Sequence, residues 1–301
     1  MELRDRRQVV LMLMPFAVGL LVLVALPAVA TFAMAVTDYD LVRSPSYVGT
    51  ANFRELVDDE VFRIALVNSL IFAAVAVPLR LLAALGLALL LHPRFFGVRV
   101  ARTAVILPSV MPEIAYGLLW LWLFNPLYGP VNALITAGGS GRATVLGRLP
   151  PQWLTDPNHA RAGIVLMSIF VIGEAFVVLL IARRAVPRDL YELAALEDAT
   201  WWDVFRRITL PFMAPVLVLL ALRDVLFSFQ ASFVPALVVT QGGPPEHATT
   251  YLPFFVYRTG FEYLRYGYAA AATLVMLVVT ALTLLALWRV SVRWRRTFMT
   301  W

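Results

Sequence analysis

Residues 9–36 run for 28 positions without a single charged side chain. A membrane-spanning helix needs about 20 such residues, and a helix apolar on every side has no place on the surface of a soluble domain. Five more apolar stretches follow, at residues 64–91, 102–124, 162–182, 212–239 and 267–290. The chain therefore reads as an all-α membrane protein, a single transmembrane domain of six helices over residues 1–301. The first stretch, preceded by Arg4, Arg6 and Arg7, is too long for the apolar region of a signal peptide and reads as a retained helix. The second is interrupted by Pro78 and Arg80.

Composition removes several chemistries. There is no cysteine, so neither disulfides nor thiolate metal sites can form. All 25 basic residues are arginine. Without a lysine the chain cannot build a Walker A phosphate loop or a Schiff base, so any ATP used must be bound by another polypeptide. His92, His159 and His247 are scattered at no ligand spacing, so no metal is expected. Gly138 to Gly147 has no strand before it and no Lys-Ser/Thr after it, and reads as a loop. The net charge of +6 does not point to nucleic acid, because the arginines cluster beside the spans. Taken alternately, the connecting segments hold 3, 3, 5 and 4 arginines on one side and 3, 3 and 2 on the other. The positive-inside rule then puts both termini and the segment after the fourth span in the cytoplasm.

That segment, residues 187–211, is a charged island between two spans. It cannot lie in hydrocarbon, so it projects into water where a soluble partner can reach it. Two short helices are expected. Pro187 suits a first helical turn, and Thr200 followed by Asp203 reads as a capping box that opens the second helix. The spacing resembles the EAA loop of ABC importer permeases, roughly E-A-A-x-x-D-G-A followed at fixed offsets by F, I and L-P. The matches are Glu192, Ala194, Ala199, Phe205, Ile208, Leu210 and Pro211. The resemblance implies coupling helices that seat in a cleft of an ATP-hydrolysing subunit. The plainer alternative is an ordinary interfacial helix pair. Leu193, Glu197 and Asp198 stand where Ala, Asp and Gly are usual. A glycine would adopt positive φ freely at that turn, whereas Asp does so at a cost of about 1 kcal/mol.

Six other runs extend the resemblance over nearly the whole chain. Tyr47-Val48-Gly49-Thr50-Ala51-Asn52-Phe53 follows the first span. After the third span come Asn125-Pro126-Leu127-Tyr128-Gly129 and Trp153-Leu154-Thr155-Asp156-Pro157. Thr240-Gln241-Gly242-Gly243-Pro244, Tyr257-Arg258-Thr259-Gly260-Phe261 and Gly267-Tyr268-Ala269-Ala270-Ala271 lie around the last span. Together they are similar to the first-permease subunit of carbohydrate importers of the maltose/glycerol-3-phosphate type. The resemblance implies the type I permease fold and no catalytic residues on this chain. It further implies a second homologous permease, two ATP-binding subunits carrying ATP and Mg, and an extracytoplasmic solute-binding protein. The setting would be the plasma (inner) membrane of a prokaryote.

Five ionisable residues fall inside the spans: Arg80, Glu113, Glu174, Arg223 and Asp224. A charge at the centre of a membrane helix costs about 2.5 to 3.5 kcal/mol on insertion scales, so these residues should face protein or a water-filled cavity. Glu174 lies beside Gly173, where a small residue permits close approach. A sugar pathway needs hydrogen-bonding groups and aromatic faces. Glu174, Arg223, Asp224 and Gln230, with Phe227 and its neighbours Phe229 and Phe233, could supply them. The structural alternative pairs Arg80 and Arg223 with Glu113, Glu174 or Asp224. A different class, an ion-coupled secondary transporter, would use those carboxylates as proton carriers. A membrane hydrolase lacks a nucleophile and base. Trp120, Trp122, Trp201 and Trp202 read as belt residues at the two membrane interfaces.

Overall fold

The computed structural model describes residues 2–93, 95–135, 151–243 and 247–298, with side chains between residues 7 and 292. Arg94, the glycine-rich run 138–147 and Pro244 lie outside the described residues, as do the side chains of Arg4, Arg6, Arg293, Arg295 and Arg296. Among the described residues no strand forms, and one antiparallel bridge joins Thr37 to Tyr47. The helices in chain order are α1 (Arg7–Met34), α2 (Ala51–Asp58), α3 (Glu60–Leu90), α4 (Val98–Val110), α5 (Glu113–Leu123) and α6 (Pro130–Ile135). They continue as α7 (Pro157–Ile169), α8 (Gly173–Ala185), α9 (Arg188–Leu196), α10 (Trp201–Thr240), α11 (Leu252–Tyr257) and α12 (Tyr266–Phe298).

α1, α3, α10 and α12 are each long and apolar enough to cross a membrane. The third and fourth apolar stretches are each a bent pair of helices. α4 and α5 meet at 105°, and α7 and α8 at 47°, which gives six spans if each pair counts as one. Pro112 explains the sharper break. A residue before proline is driven out of the helical region, and Met111 has φ −70° and ψ 139°. Pro78, by contrast, does not interrupt α3, which runs through it for 31 residues. The second helix expected in the charged island is not separate either: it is the first turn of the 40-residue α10.

The described chain divides into two compact units. The first comprises residues 1–63 and 255–277. Here α1 buries none of its most apolar window against the chain, as befits a helix whose solvent is lipid. Asn52 fixes the bend after α1, donating to the carbonyls of Ala35 at 2.9 Å and Thr37 at 2.8 Å. Arg265 pairs with Glu55 at 2.6 Å, and the Tyr268 hydroxyl donates to Asp59 at 2.8 Å. The Gly267 N–H donates to the Tyr39 carbonyl at 3.0 Å. The signature residues Asn52, Gly267 and Tyr268 are therefore framework.

The second unit comprises residues 64–254 and 278–301 and holds two apolar clusters. One gathers Phe72, Tyr116, Trp120, Phe124, Ile164, Met167, Tyr251 and Phe254, and the other Leu85, Leu91, Phe176, Leu179, Met213 and Leu220. Trp120 belongs to the first cluster and is 6% exposed, so it is a core residue and not part of an interfacial belt. The Thr240–Gly243 corner is held by hydroxyl and backbone bonds. Thr240 and Thr249 share a 2.6 Å hydroxyl contact, and the Thr250 hydroxyl donates to the Gly242 carbonyl at 2.9 Å. Gly242 and Gly243 have φ of 84° and 78°, a conformation that costs glycine nothing. Asn68 on α3 donates to the carbonyls of His247 and Thr250, which ties the corner to that helix.

Candidate functional site

Both helix breaks open on one cavity of about 290 Å³. Pro108, Ser109, Met111 and Glu113 line it from one break, and Val171, Ile172 and Glu174 from the other. Irregular backbone at membrane depth survives only where it is buried in protein or faces a water-filled cavity. Gly173 makes the approach possible. Its N–H donates to Ser109 Oγ at 2.8 Å, and a Cβ at this position would stand 2.9 Å from Ile106 Cα. The close approach that the sequence suggested at Gly173 is thus made against α4. Glu174 itself lies in the first turn of α8 and Glu113 in that of α5, not mid-helix, and a carboxylate in a first turn complements the helix dipole.

All five ionisable residues expected inside the spans line this cavity. Arg80 on α3 is buried. Its Nε donates to Asp224 Oδ2 at 3.0 Å and its Nη2 to Ser228 Oγ, while Ser228 Oγ donates to the Asp224 carbonyl at 2.7 Å. The guanidinium stands 5.8 Å from the centre of the Phe72 ring. Arg223 Nη2 donates to Glu174 Oε2 and lies over Phe227 at 5.4 Å, but here both charged side chains are about half exposed. Glu113 has no ion-pair partner among the described residues. The pairing anticipated as a structural alternative is therefore present, and both pairs line the one cavity.

Not every expected residue joins it. Gln230 is exposed and no part of the cavity wall, Phe229 is 2% exposed in the core, and Phe233 packs against the first apolar cluster. Conversely, Ser109 and Tyr116 line the cavity and were not singled out from the sequence. The Tyr116 hydroxyl donates to the Met167 carbonyl at 2.5 Å, bridging α5 to the last turn of α7. The available signal was the Pro108–Pro112 spacing that frames Ser109.

The charged island forms a tight elbow. α9 ends in a Schellman motif: the Ala199 N–H donates to the Ala194 carbonyl at 3.0 Å and the Asp198 N–H to the Ala195 carbonyl at 3.3 Å. Asp198 occupies the left-handed position of that motif with φ 51°, the strained conformation its place in the sequence implied. Thr200 then caps α10, accepting from the Asp203 N–H at 3.2 Å. Pro187 is the residue before α9, one position earlier than expected. Ala194 is buried, and Phe205 stacks on Trp201 at 5.6 Å while packing against the second apolar cluster. Ile208, in a π-turn over Phe205–Thr209, and Leu210 and Pro211, which resume the regular helix, are half-buried. Glu192 is exposed, and around it Leu193, Leu196, Trp201 and Trp202 are exposed too, an apolar surface on an otherwise polar elbow.

Residues 80–296 match the family described as binding-protein-dependent transport system inner membrane component. The chain belongs to this family. Its members are permease subunits of ABC transporters and not themselves enzymes. The sn-glycerol-3-phosphate transport system permease protein UgpA of Yersinia pestis is 31% identical over 246 residues, 80% of this chain and 79% of that protein. The trehalose/maltose transport system permease protein MalF of Thermococcus litoralis is 28% identical over 284 residues, 93% of this chain and 92% of that one. A bacterial alginate ABC transporter, solved in complex with an alginate pentasaccharide-bound periplasmic protein, contains a chain that superposes with a TM-score of 0.81. That match covers 95% of this permease and 94% of the other chain at 22% identity, and it shows the shared type I permease fold. Family membership supports the ABC permease reading and lends nothing to the ion-coupled carrier.

Proposed function

We propose that this permease forms half of the translocation pathway of an ATP-driven importer for a sugar or sugar-like solute. The observation that carries the proposal is the convergence of two broken helices and five ionisable side chains on one cavity. Glu113, Ser109 and the Arg223–Glu174 pair offer hydrogen bonds to hydroxyl groups, and Phe227 offers an aromatic face. Arg80 and Asp224, fully engaged with each other, hold the wall. Gln230, exposed beyond that wall, is left for the face that a second homologous permease would complete. The names of the relatives, which carry trehalose or maltose and glycerol-3-phosphate, agree with a polyhydroxylated solute.

In this reading residues 1–301 are one domain of six spans with both termini cytoplasmic, set in a prokaryotic inner membrane. The 187–211 elbow is the coupling element, with Glu192, Ala194, Ala199, Phe205, Ile208, Leu210 and Pro211 as the residues of its motif. Two ATPase subunits bind ATP and Mg, an extracytoplasmic binding protein delivers the solute, and nucleotide-driven movement of the elbow swings the spans as rigid bodies. The chain itself binds no cofactor. The exposed leucines and tryptophans around Glu192 support a protein partner there, because an apolar patch on a segment that cannot enter hydrocarbon needs a cover.

Reconstitution tests this. Proteoliposomes holding both permeases, the ATPase subunits and the binding protein should take up solute only with Mg-ATP. Uptake by the 301-residue chain alone under a pH gradient would replace the proposal with ion-coupled transport.

A further inference from the structure

A second cavity, of about 640 Å³, lies where α3 and α8 end and α9 begins. Its wall is formed by His92, Pro93, Arg183, Arg184, Val186, Arg188, Tyr191 and Glu192, and its volume is that of a small-molecule site, roughly 300–1,000 Å³. Three guanidinium groups face one carboxylate. Among the described residues Arg183, Arg184 and Arg188 make no ion pair. Arg183 is held 4.2 Å over the Tyr191 ring. His92 Nδ1 is buried and has no hydrogen-bond partner among the described residues.

The ordinary account of such arginines is that they cap helix ends. It suits Arg183 and Arg184, in the last turn of α8, where a cation complements the dipole. It fits Arg102 as well, which donates to the carbonyls of Leu91 at 2.6 Å and His92 at 3.2 Å and so closes the end of α3. It fails for Arg188. That residue opens α9, where a positive charge is unfavourable, and the preceding Pro187 offers no side-chain acceptor to the first-turn N–H groups. The pKa of the His92 imidazole is lowered, first by its burial and then by the field of Arg183, Arg184, Arg102 and Arg188. Uncapped N–H groups, unpaired guanidinium groups and a buried ring nitrogen without a partner are together what an oxyanion satisfies.

We infer that this cavity binds a phosphate group. Arginine favours phosphate because its planar fork meets two oxygens at once. The site also lies at the depth of a lipid headgroup: α3 and α8 end here, and Leu90 and Ile181, both more than 60% exposed, stand on the apolar segments just above. The phosphate is therefore either that of an anionic phospholipid or free inorganic phosphate. The inference is independent of the solute pathway, with which the cavity shares no residue.

The test uses the 301-residue chain in mild detergent, and in nanodiscs of phosphatidylcholine alone. Native mass spectrometry after exchange into equal phosphatidylglycerol and phosphatidylcholine should show preferential retention of phosphatidylglycerol. Arg184→Gln with Arg188→Gln should lower that retention about twenty-five-fold, from roughly a fivefold contribution per arginine near a headgroup. The matching double lysine variant should keep most of it, which separates lost charge from a damaged fold. If instead 10-millimolar-range inorganic phosphate (on the order of ten times a millimolar site) raises the melting temperature of the parent in phosphatidylcholine nanodiscs, and not of the glutamine variant, the source is free phosphate and the site stands. Equal retention of both lipids together with no phosphate shift, or responses that survive the glutamine substitutions, would overturn the inference.

Discussion

Arg80 and Asp224, 144 positions apart in sequence, meet at 3.0 Å in the wall of the cavity, and both are largely shielded from solvent. The bond joins α3 to α10 across the unit. Breaking a buried pair from one side leaves a desolvated charge, which costs about 3–5 kcal/mol. Arg80→Ala is therefore expected to destabilise the permease by that amount in detergent unfolding. Arg80→Ala with Asp224→Asn should recover a large part of the loss, because neither half is then left charged and alone. Additive losses in the two single variants and the double would contradict the pairing.

Arg223 and Glu174 make the opposite case. Their side chains are 45% and 62% exposed, so solvent screens the pair and its removal should cost less than about 1 kcal/mol of stability. Its expected effect is on transport. Glu174→Gln should lower solute uptake by about tenfold, the equivalent of one hydrogen bond to a charged group, with the melting temperature nearly unchanged. Unchanged uptake would remove the pair from the pathway.

Asp198 holds φ at 51° in the Schellman motif that ends α9. Asp198→Gly should raise stability by about 0.5–1 kcal/mol and leave ATP-driven uptake intact, while Asp198→Val should lower both. A glycine variant that is stable yet cannot transport would assign a task to the carboxylate itself.

Asp156 caps α7, accepting from the N–H groups of His159 at 2.9 Å and Asn158 at 3.0 Å. The His159 N–H and charge, with the Asn158 N–H, hold its carboxyl below the ordinary 3.8 against a smaller opposing effect of burial. Because the folded value is depressed, the stabilisation is complete above pH 3.8 and is lost as pH falls through the folded value. The melting-temperature difference between the parent and Asp156→Asn should shrink as pH falls below 3.8. A difference that widens on acidification would contradict the sign.

Much of this site was legible in the sequence because charge in an apolar run has few places to go. Arg80, Glu113, Glu174, Arg223 and Asp224 stand out against their surroundings, and the fold brings all five to one cavity. Thr200 and Asp203 were legible for a local reason, since a cap depends on three residues and little else. The breaks in the third and fourth stretches were not. Lipid and protein core are equally apolar, so hydropathy does not distinguish a straight helix from two half-helices packed at an angle. The same indifference hid Trp120, whose belt-like position in sequence is overridden by its contacts with Phe124 at 4.8 Å and Phe170 at 5.4 Å. Gln230 was assigned to the pathway by its distance from Asp224 along the chain, but six residues turn a helix by about 600°, which places it on another face.

The most direct test of the coupling account is the ATP hydrolysis of the reconstituted transporter carrying Glu192→Arg. Glu192 is exposed on the elbow, so the substitution should leave assembly and basal hydrolysis unchanged. The account predicts that solute-loaded binding protein no longer stimulates hydrolysis and that uptake ceases. Full stimulation and normal uptake in that variant would show that the ATPase does not drive this permease through the elbow.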